Sequence, residues 1–413
     1  MSTNERRVVV TGMGLVSPCG NSVEESWRNI LDGVSGIDRI TAFDVSDYAS
    51  QIGGEVKNFD PLQFMDKKEA RRTDRSVQLA LAAATEAMKS VDEEVGDRDR
   101  FGTIIGSGIG GISTFEEQHT VLLEKGPSRI SPFFIPMMIS DMAAGQVSIR
   151  FGLKGPNFGT VSACASGGHA ISDAYMYIKS GHADAMLTGG TEATISKMAL
   201  GGFCSLKALS TRNDDPERAS RPFDKDRDGF VMSEGSGMIV LEELEHAKSR
   251  GAEILAELIG TGLTGDAYHM TQPVPGGMGA VRAMKAALEC SGIEPGDVDY
   301  INAHGTSTFY NDRVESEAIR SVFGKAEDGC KVSSTKSVTG HLLGAAASLE
   351  FIACVMALRE GVIPPTANLE NLDPECELNH VPNTPVEEDL EIVMSNSFGF
   401  GGHNVSLVLK KYV

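Results

Sequence analysis

One cysteine in this sequence lies where a nucleophile could act. Cys164 occurs in the stretch Val161-Ser-Ala-Cys164-Ala-Ser-Gly-Gly168, between an apolar segment that predicts a strand and a pattern that predicts a helix over residues 168–180. Its neighbours are small, so a substrate could reach the sulfur. Because a helix N-terminus stabilises a thiolate, we expect a lowered thiol pKa and nucleophilic reactivity. The alternative is a buried structural thiol, which we predict for Cys290 and Cys354 within helical patterns.

Two histidines could handle protons beside that cysteine, since the partners of a nucleophilic cysteine are often distant in sequence. His304 follows a predicted strand over residues 299–301 and lies on a loop. His341 ends the stretch Lys336-Ser-Val-Thr-Gly-His341 and is predicted to open a helix that runs to Glu360. The remaining histidines of interest are predicted to be core residues with satisfied hydrogen bonds: His169, His182 and His246.

A glycine-rich stretch, Gly106-Ser-Gly108-Ile-Gly110-Gly111, has the spacing of a dinucleotide-binding loop. Such a loop should be followed about 20 residues later by an acidic residue at a strand end. Here that region reads Lys125-Gly-Pro-Ser-Arg129. We therefore predict a tight strand-to-helix turn and no organic cofactor.

An aspartate-rich stretch, Asp224-Lys-Asp226-Arg-Asp228-Gly229, begins like a calcium-binding loop. The position that should hold a bidentate glutamate is Gly235, and an apolar strand pattern follows where a helix should start. We therefore predict a salt-bridged turn and no metal site.

The elements around these residues repeat once along the chain. An apolar strand entering a Gly-Leu turn occurs at residues 8–16 and again at 258–264. The Cys164 stretch and its helix likewise correspond to residues 332–336 and the helix predicted after them. We therefore predict two similar α/β halves, residues 1–250 and 251–413, with helices between strands of parallel or mixed sheets.

Composition narrows the function further. The 413 residues carry 37 Lys and Arg against 57 Asp and Glu, a formal charge of -20 that opposes binding to nucleic acid or to anionic membranes. The seven cysteines form no C-x-x-C pair, which argues against a disulfide framework or a zinc knuckle. No signal-peptide pattern or long apolar stretch is present, so we expect a cytoplasmic protein.

Six motifs in order carry a resemblance to a known family: Thr11 to Ser17, the Cys164 stretch, Arg221 to Phe230, Asn302 to Thr308, Ser334 to His341, and Asn396 to Gly402. The chain resembles the β-ketoacyl-[acyl-carrier-protein] synthases, most closely the type II elongating enzyme. The resemblance implies a thiolase-like α/β fold, five-layered αβαβα and internally duplicated, in a homodimer. It also implies a decarboxylative Claisen condensation that extends a Cys-bound acyl chain by two carbons from malonyl carrier protein, without cofactor or metal.

The resemblance assigns a role to each matching residue. Cys164 would be acylated, His304 and His341 would act on the malonyl thioester, and Lys336 would support their electrostatics. The backbone amides of Cys164 and Phe400 would form an oxyanion hole, and Phe400 would also gate the acyl pocket. The pantetheine arm of the carrier would be held by three threonines: Thr271, Thr306 and Thr308.

The chain departs from the family pattern near the entrance. Where the family commonly reads Thr-Pro-x-Gly-Asp, this sequence has Thr308-Phe-Tyr-Asn-Asp312, which makes the loop bulkier and leaves partner preference open. His403 stands where some members carry Thr, and we assign it no role. An acidic carrier requires local basic patches on this acidic protein. We predict a docking surface formed by four residues at i, i+4 spacing on one helix, Lys67, Lys68, Arg71 and Arg72, together with Arg129 and Lys207, which match positions near the docking face of the family. The alternative is an ordinary solvated face.

Rival functions remain open on the sequence. A ketosynthase of a specialised, polyketide-like pathway would share these motifs. A carrier-binding decarboxylase should lack Cys164, a non-catalytic acyl sensor would not need Lys336 and both histidines, and a thiolase would need a second active cysteine. The sequence does not set the acyl length.

Overall fold

The computed structural model describes residues 6–91, 96–324 and 329–413. The strands in this part of the chain are β1 Val8–Val16, β2 Asp38–Arg39, β3 Ile52–Gly53, β4 Phe101–Gly106, β5 Asn157–Thr160, β6 Ala185–Glu192, β7 Gly235–Glu243, β8 Ala256–Gly265, β9 Tyr300–Asn302, β10 Lys331–Ser333, β11 Val362–Ile363, β12 Val386–Glu387, β13 Ile392–Gly399 and β14 His403–Lys410. The α-helices are α1 Val23–Leu31, α2 Lys67–Ala70, α3 Arg75–Ala87, α4 Ile112–Lys125, α5 Phe134–Met138, α6 Met142–Phe151, α7 Ser166–Lys179, α8 Lys197–Ser205, α9 Leu244–Ser249, α10 Met278–Ser291, α11 Phe309–Phe323, α12 Lys336–Thr339 and α13 Ala346–Glu360.

Ten of these strands form one mixed sheet whose two ends have the same internal order. From its centre outward, one side runs β1-β7-β6-β4-β5 and the other runs β8-β14-β13-β9-β10. If the five strands of each side are numbered in the order in which they occur along the chain, both sides have the spatial order 1-5-4-2-3 from the centre outward. The two sides are joined where residues 8–10 of β1 pair antiparallel with residues 256–258 of β8. This repetition agrees with a duplication, and the boundary at residue 250 stays a prediction.

Helix packing gives the molecule its layers. Helices α3 and α6 cover one face of the first five strands, and α7 and α13 pack between the two sets. Helix α10 covers the outer face of β8 and β14, with α11 packed beside it. The resulting order is helix, strand, helix, strand, helix, because each strand set is apolar on both faces and needs cover on both.

Equivalent glycines let the outer helices approach the strands in both halves. A Cβ on Gly14 of β1 would lie 2.0 Å from the carbonyl oxygen of Ala83 in α3. A Cβ on Gly262 of β8 would lie at the same 2.0 Å from the carbonyl oxygen of Ala283 in α10. Only glycine fits such an approach. The matching contacts explain the Gly-Leu repeat in the sequence.

Two equivalent turns sit between the layers and lead into α7 and α13. Each is one turn of 3-10 helix, residues Ala163–Ala165 and residues Leu343–Ala345, and each begins at a non-glycine residue with positive φ, 53° at Ala163 and 49° at Leu343. Gly344 is therefore the structural counterpart of Cys164. Backbone strain of this kind is found at functional turns.

Two helix starts differ from the predictions. Helix α7 begins at Ser166, two residues before the predicted start. The prediction that His341 opens a helix is wrong, because α13 begins only at Ala346. His341 instead lies in an extended segment bridged to Met232, since the left-handed φ of Leu343 and the positive φ of Gly340 prevent helix from forming there.

Candidate active site

One cavity of about 510 Å³ collects most of the predicted site residues. It lies between the two sets of strands and is lined largely by apolar side chains. Eight of the predicted residues line it: Cys164, Thr271, His304, Thr306, Thr308, His341, Phe400 and Lys207. The structure thus brings together groups that are up to 236 residues apart in sequence, from Cys164 to Phe400.

Cys164 is held on its strained turn by the hydroxyl of Ser166. That hydroxyl accepts a hydrogen bond from the Ser162 amide at 2.9 Å and donates one to the Ala163 carbonyl at 2.7 Å. Gly399 packs against this turn, and a Cβ there would lie 2.8 Å from the Ser162 carbonyl oxygen. The nucleophile is therefore fixed between α7 and the loop after β13.

The expected low thiol pKa is not found. Burial raises the pKa of the Cys164 thiol to about 12, and the charge of Lys336 opposes this increase without overcoming it. The prediction of a preformed thiolate at the helix start is therefore wrong, because loss of solvation outweighs the favourable groups. The thiol must give up its proton as it attacks.

Two backbone amides converge on the sulfur of Cys164. The amide of Phe400 and the amide of Cys164 itself both lower the thiol pKa by hydrogen bonding. Phe400 begins the turn between β13 and β14, where Gly401 and Gly402 have φ of 86° and 73°. Two N–H groups aimed at one point can stabilise an oxyanion that forms on a carbon bound to that sulfur.

The two histidines face each other inside the cavity. The ring centroids of His304 and His341 lie 5.4 Å apart with their planes at 84°. Both rings are buried, and His304 Nδ1 and both ring nitrogens of His341 have no hydrogen-bond partner in the described structure. Burial, followed by the charge of Lys336, lowers the pKa of both imidazoles well below 6.5. Near neutral pH each ring is therefore neutral, with one N–H to donate and one nitrogen to accept.

Lys336 does not line the cavity but lies buried directly behind it. Its Nζ donates to the backbone carbonyl of His304 at 2.6 Å and forms a buried ion pair with the carboxylate of Glu350 on α13. Burial raises the pKa of Glu350 to about 7, against the opposing charge of Lys336. The lysine can thus fix the His304 loop and supply positive charge to the cavity.

Two further carboxylates, missed in the sequence, fix the loops around the site. Glu315 accepts the backbone amides of His304 and Gly305, both at 2.7 Å. Glu192, at the end of β6, lines the cavity and accepts the amides of Gly108 at 2.7 Å and Gly344 at 3.0 Å. Single acidic residues carry no local motif, and their importance follows only from burial against amides of distant segments.

The glycine-rich loop is the predicted strand-to-helix turn between β4 and α4. Glu192 already occupies its amides at Gly108 and Ile109, at 2.7 and 3.2 Å, so these donors are not free for a phosphate. The aspartate-rich stretch is the predicted salt-bridged turn, with Asp224 3.1 Å from Arg221.

The three predicted threonines lie on two segments of the chain that line the cavity. The hydroxyls of Thr306 and Thr308 are 2.9 Å apart, directly before α11. Thr271 lies on the loop after β8, where its amide donates to His269 Nδ1 at 3.2 Å. All three line the cavity, where one ligand can contact all of them.

The six basic residues predicted for carrier docking are all exposed, and Lys207 lines the cavity. The predicted continuous helix is wrong: α2 ends at Ala70, Arg71 caps it, and Arg72 turns its guanidinium over the ring of Phe133 at 4.2 Å. The helix is short because Asp66 caps its start and Asp74 already caps the start of α3. Lys67 and Lys68 remain on α2.

Some predictions for the other cysteines and histidines need correction. Cys354 is buried as predicted, whereas Cys290 is exposed at the outer face of α10. His182 is exposed beside Ser180, and His169 and His246 are only part-buried, although each has a hydrogen-bond partner. A helical pattern does not by itself show whether a residue lies on the buried or the exposed face of the helix.

Sequence comparison decides the family. The chain matches the N-terminal domain of β-ketoacyl synthases over residues 5–247 and the C-terminal domain over residues 255–370. The chain belongs to the β-ketoacyl synthase family. The 3-oxoacyl-[acyl-carrier-protein] synthase 2 of Synechocystis is 53% identical over 410 residues, 99% of each chain, and that of Staphylococcus aureus strain N315 is 54% identical over 414 residues, all of each chain.

Solved structures of this family share the fold. A β-ketoacyl synthase from Burkholderia phymatum superposes with a TM-score of 0.92 at 37% identity, over 99% of this chain and 100% of that one. A type II polyketide acyl carrier protein in complex with its ketosynthase gives 0.91 at 34% identity, with the same coverage. The predicted thiolase-like fold, the family and the class of acyltransferase that condenses acyl chains in fatty-acid synthesis are confirmed. No helix in the described ranges is long and apolar enough to cross a membrane.

Proposed function

We propose that this β-ketoacyl synthase acts through Cys164, His304, His341 and the amide of Phe400. The observation that carries the assignment is the pair of buried imidazoles, with ring centroids 5.4 Å apart, that line one cavity with a buried thiol. The alternative, a ketosynthase of a specialised pathway, is less favoured, because the chain is 53–54% identical to the 3-oxoacyl-[acyl-carrier-protein] synthases 2 but 34% identical to the type II polyketide ketosynthase.

In the first half-reaction the acyl group moves from the carrier to the enzyme. The Cys164 thiol passes its proton to a neutral imidazole as the sulfur bonds to the thioester carbonyl carbon. The amides of Phe400 and Cys164 hold the oxygen that becomes negative. The C–S bond to the carrier then breaks, and the departing carrier thiolate takes up the proton.

In the second half-reaction the malonyl thioester loses carbon dioxide. Its C–C bond to the carboxylate breaks, and the electron pair becomes an enolate whose oxygen accepts the N–H groups of His304 and His341. The enolate carbon attacks the acyl carbonyl on Cys164, the new C–C bond forms, and the cysteine sulfur leaves as a thiolate that takes up a proton from solvent. The product is a β-ketoacyl carrier two carbons longer.

Lys336 acts in this scheme as a positioning residue. It holds the His304 carbonyl, and its charge adds to the effect of burial in lowering the pKa of both imidazoles. Thr271, Thr306 and Thr308 hold the pantetheine arm, and Phe400 gates the passage to the acyl pocket.

The partner proposed for this chemistry is an acyl carrier protein bearing acyl and malonyl groups. The exposed basic residues Lys67, Lys68, Arg71 and Arg72, with Arg129 and Lys207, supply local attraction for an acidic carrier on a protein of charge -20. We place the reaction in the cytoplasm, where the seven free cysteines stay reduced.

We also propose a homodimer that forms along β5. This strand ends the large sheet and, among the residues that the structure describes, pairs only with β4, which leaves its outer edge open there. Val161 directly after it is 60% exposed, an apolar residue beside an unpaired edge. A second copy of the chain would cover both by antiparallel pairing. Light scattering should give twice the mass of 43.9 kDa, and Val161→Glu should lower it.

The test of the catalytic assignment is peptide mass spectrometry after incubation with an acyl carrier. The acyl mass should appear on the peptide that contains Cys164, and acyl carriers of several lengths should reveal the preferred chain. The half-exposed Cys204 and the exposed Cys290 serve as internal controls for non-specific acylation. Stoichiometric acylation at either control cysteine would overturn the assignment.

A further inference from the structure

The mouth of the catalytic cavity carries two aromatic side chains at the place where the sequence departs from its family. Phe309 and Tyr310 open helix α11 and line the same cavity as Cys164. They are 50% and 63% exposed, whereas Cys164 is buried, so the two rings lie at the outer end of the cavity. We name this pair the aromatic rim.

The rim is rigidly placed. The two rings meet edge to face with centroids 5.5 Å apart. The guanidinium of Arg227 lies 5.4 Å from the Phe309 ring and donates to the carbonyls of Thr308 and Phe309, both at 3.1 Å. Arg227 is itself buried and paired with Asp373 at 2.7 Å. The rings therefore stand on a fixed polar base and do not depend on a flexible loop.

Beyond their contacts with each other and with Arg227, both rings leave half or more of their surface exposed. Burial of aromatic surface by a ligand is favourable, and a preorganised ring loses little conformational freedom on binding. The rim directly follows Thr306 and Thr308, whose hydroxyls face the cavity. A ligand that passes from solvent to Cys164 meets the rings first and then the hydroxyls.

We propose that Phe309 and Tyr310 are specificity-determining residues that recognise the branched, apolar section of the carrier's pantetheine arm. This inference rests on the proposed function. The arm has two amides near its thiol and a geminal dimethyl group farther out, so polar contacts are needed deep in the passage and apolar contacts at its mouth. The acyl chain is not the occupant, because it would lie beyond Cys164 at the buried end.

The experiment compares three donors of the same acyl group. An N-acetylcysteamine thioester has only the inner part of the arm, a pantetheine thioester adds the dimethyl section, and the acyl carrier adds the protein. For Phe309→Ala and Tyr310→Ala, kcat/KM should fall about tenfold with the pantetheine and carrier donors and stay unchanged with N-acetylcysteamine. Tyr310→Phe should retain parental values, since the ring and not the hydroxyl makes the contact.

Met278→Ala is the matched control, because Met278 is also 50% exposed but does not line the cavity. An unchanged preference for pantetheine over N-acetylcysteamine in the rim variants would overturn the inference. A loss confined to the carrier would also overturn it, since the rim would then contact the carrier's protein surface. Failure of the parent enzyme to accept an acyl group from any donor would instead contradict the proposed function.

Discussion

The ammonium group of Lys336 lies 2.6 Å from the backbone carbonyl oxygen of His304, and its other partner is the buried carboxylate of Glu350. One lysine thus connects a loop that carries an imidazole to a helix that starts behind the nucleophile. Burial raises the pKa of the Cys164 thiol and lowers the pKa of both imidazoles, and the charge of Lys336 opposes the first effect and adds to the second. This buried cation therefore favours the thiolate form of Cys164 and the neutral forms of His304 and His341.

Replacement of Lys336 should separate its electrostatic role from its structural one. Lys336→Met leaves Glu350 as an unpaired buried acid, so the free energy of unfolding should fall by about 3–5 kcal/mol. The double variant Lys336→Met/Glu350→Gln should regain much of that stability, because neither buried charge remains. Both variants should decarboxylate malonyl carrier more slowly than the parent enzyme. Urea unfolding measures the stability, and carbon dioxide release measures the decarboxylation rate. A double variant with the full parental rate would contradict the proposed role of Lys336.

The pKa of Cys164 predicts how its alkylation depends on pH. Since burial raises the thiol pKa to about 12, the thiolate fraction should increase about tenfold per pH unit between about pH 6 and about pH 9. The iodoacetamide reaction of the free enzyme, followed on the Cys164 peptide, should rise throughout this range. A plateau reached near neutral pH would show a preformed thiolate instead.

The histidine pKa values predict resistance to mild acid. A lowered pKa keeps an imidazole neutral at lower pH, so His304 and His341 should still donate and accept as the pH falls through 6.5. Malonyl-carrier decarboxylation by Cys164→Ala, in which the thiol is absent, should therefore persist below that pH. Half-loss at 6.5 would mean that an imidazole titrates with its ordinary pKa.

The docking surface should be tested by reversing its charge. Glu at positions 67, 68, 71 and 72 should raise the KM for the acidic carrier and abolish the loss of affinity that added salt causes, because no attraction remains to be screened. Pantetheine thioesters should react as before. Lys285→Glu, on the outer helix α10, is the control. Equal losses with carrier and pantetheine substrates would indicate a damaged fold.

The sequence predicted the reactive residues better than their surroundings. Cys164, His304 and His341 lie in local runs of small residues, and the glycine contacts of β1 and β8 leave a visible repeat. Glu192 and Glu350 could not be found in the same way, because a carboxylate shows its role only when folding buries it against distant donors. The prediction of a lowered Cys164 pKa was wrong for the same reason, because the loss of solvation that raises this pKa depends on tertiary packing.

The start of helix α13 could not be predicted from the sequence either. The segment after Lys336 is rich in small and apolar residues that allow a helix, yet positive φ at Gly340 and Leu343 delays its start to Ala346. That backbone repeats the strained turn at Ala163, so it is a property of the duplicated fold and not of local propensity.

The central claim is that His304 and His341 promote decarboxylation independently of the nucleophile. The measurement is carbon dioxide release from malonyl carrier by Cys164→Ala and by double variants that add His304→Ala or His341→Ala, with added His380→Ala as the control at a part-buried histidine outside the cavity. The Cys164→Ala variant should release carbon dioxide without forming condensation product. Adding His304→Ala or His341→Ala should slow carbon dioxide release at least about 100-fold, whereas adding His380→Ala should leave the rate unchanged. Equal release by all four variants would contradict the account.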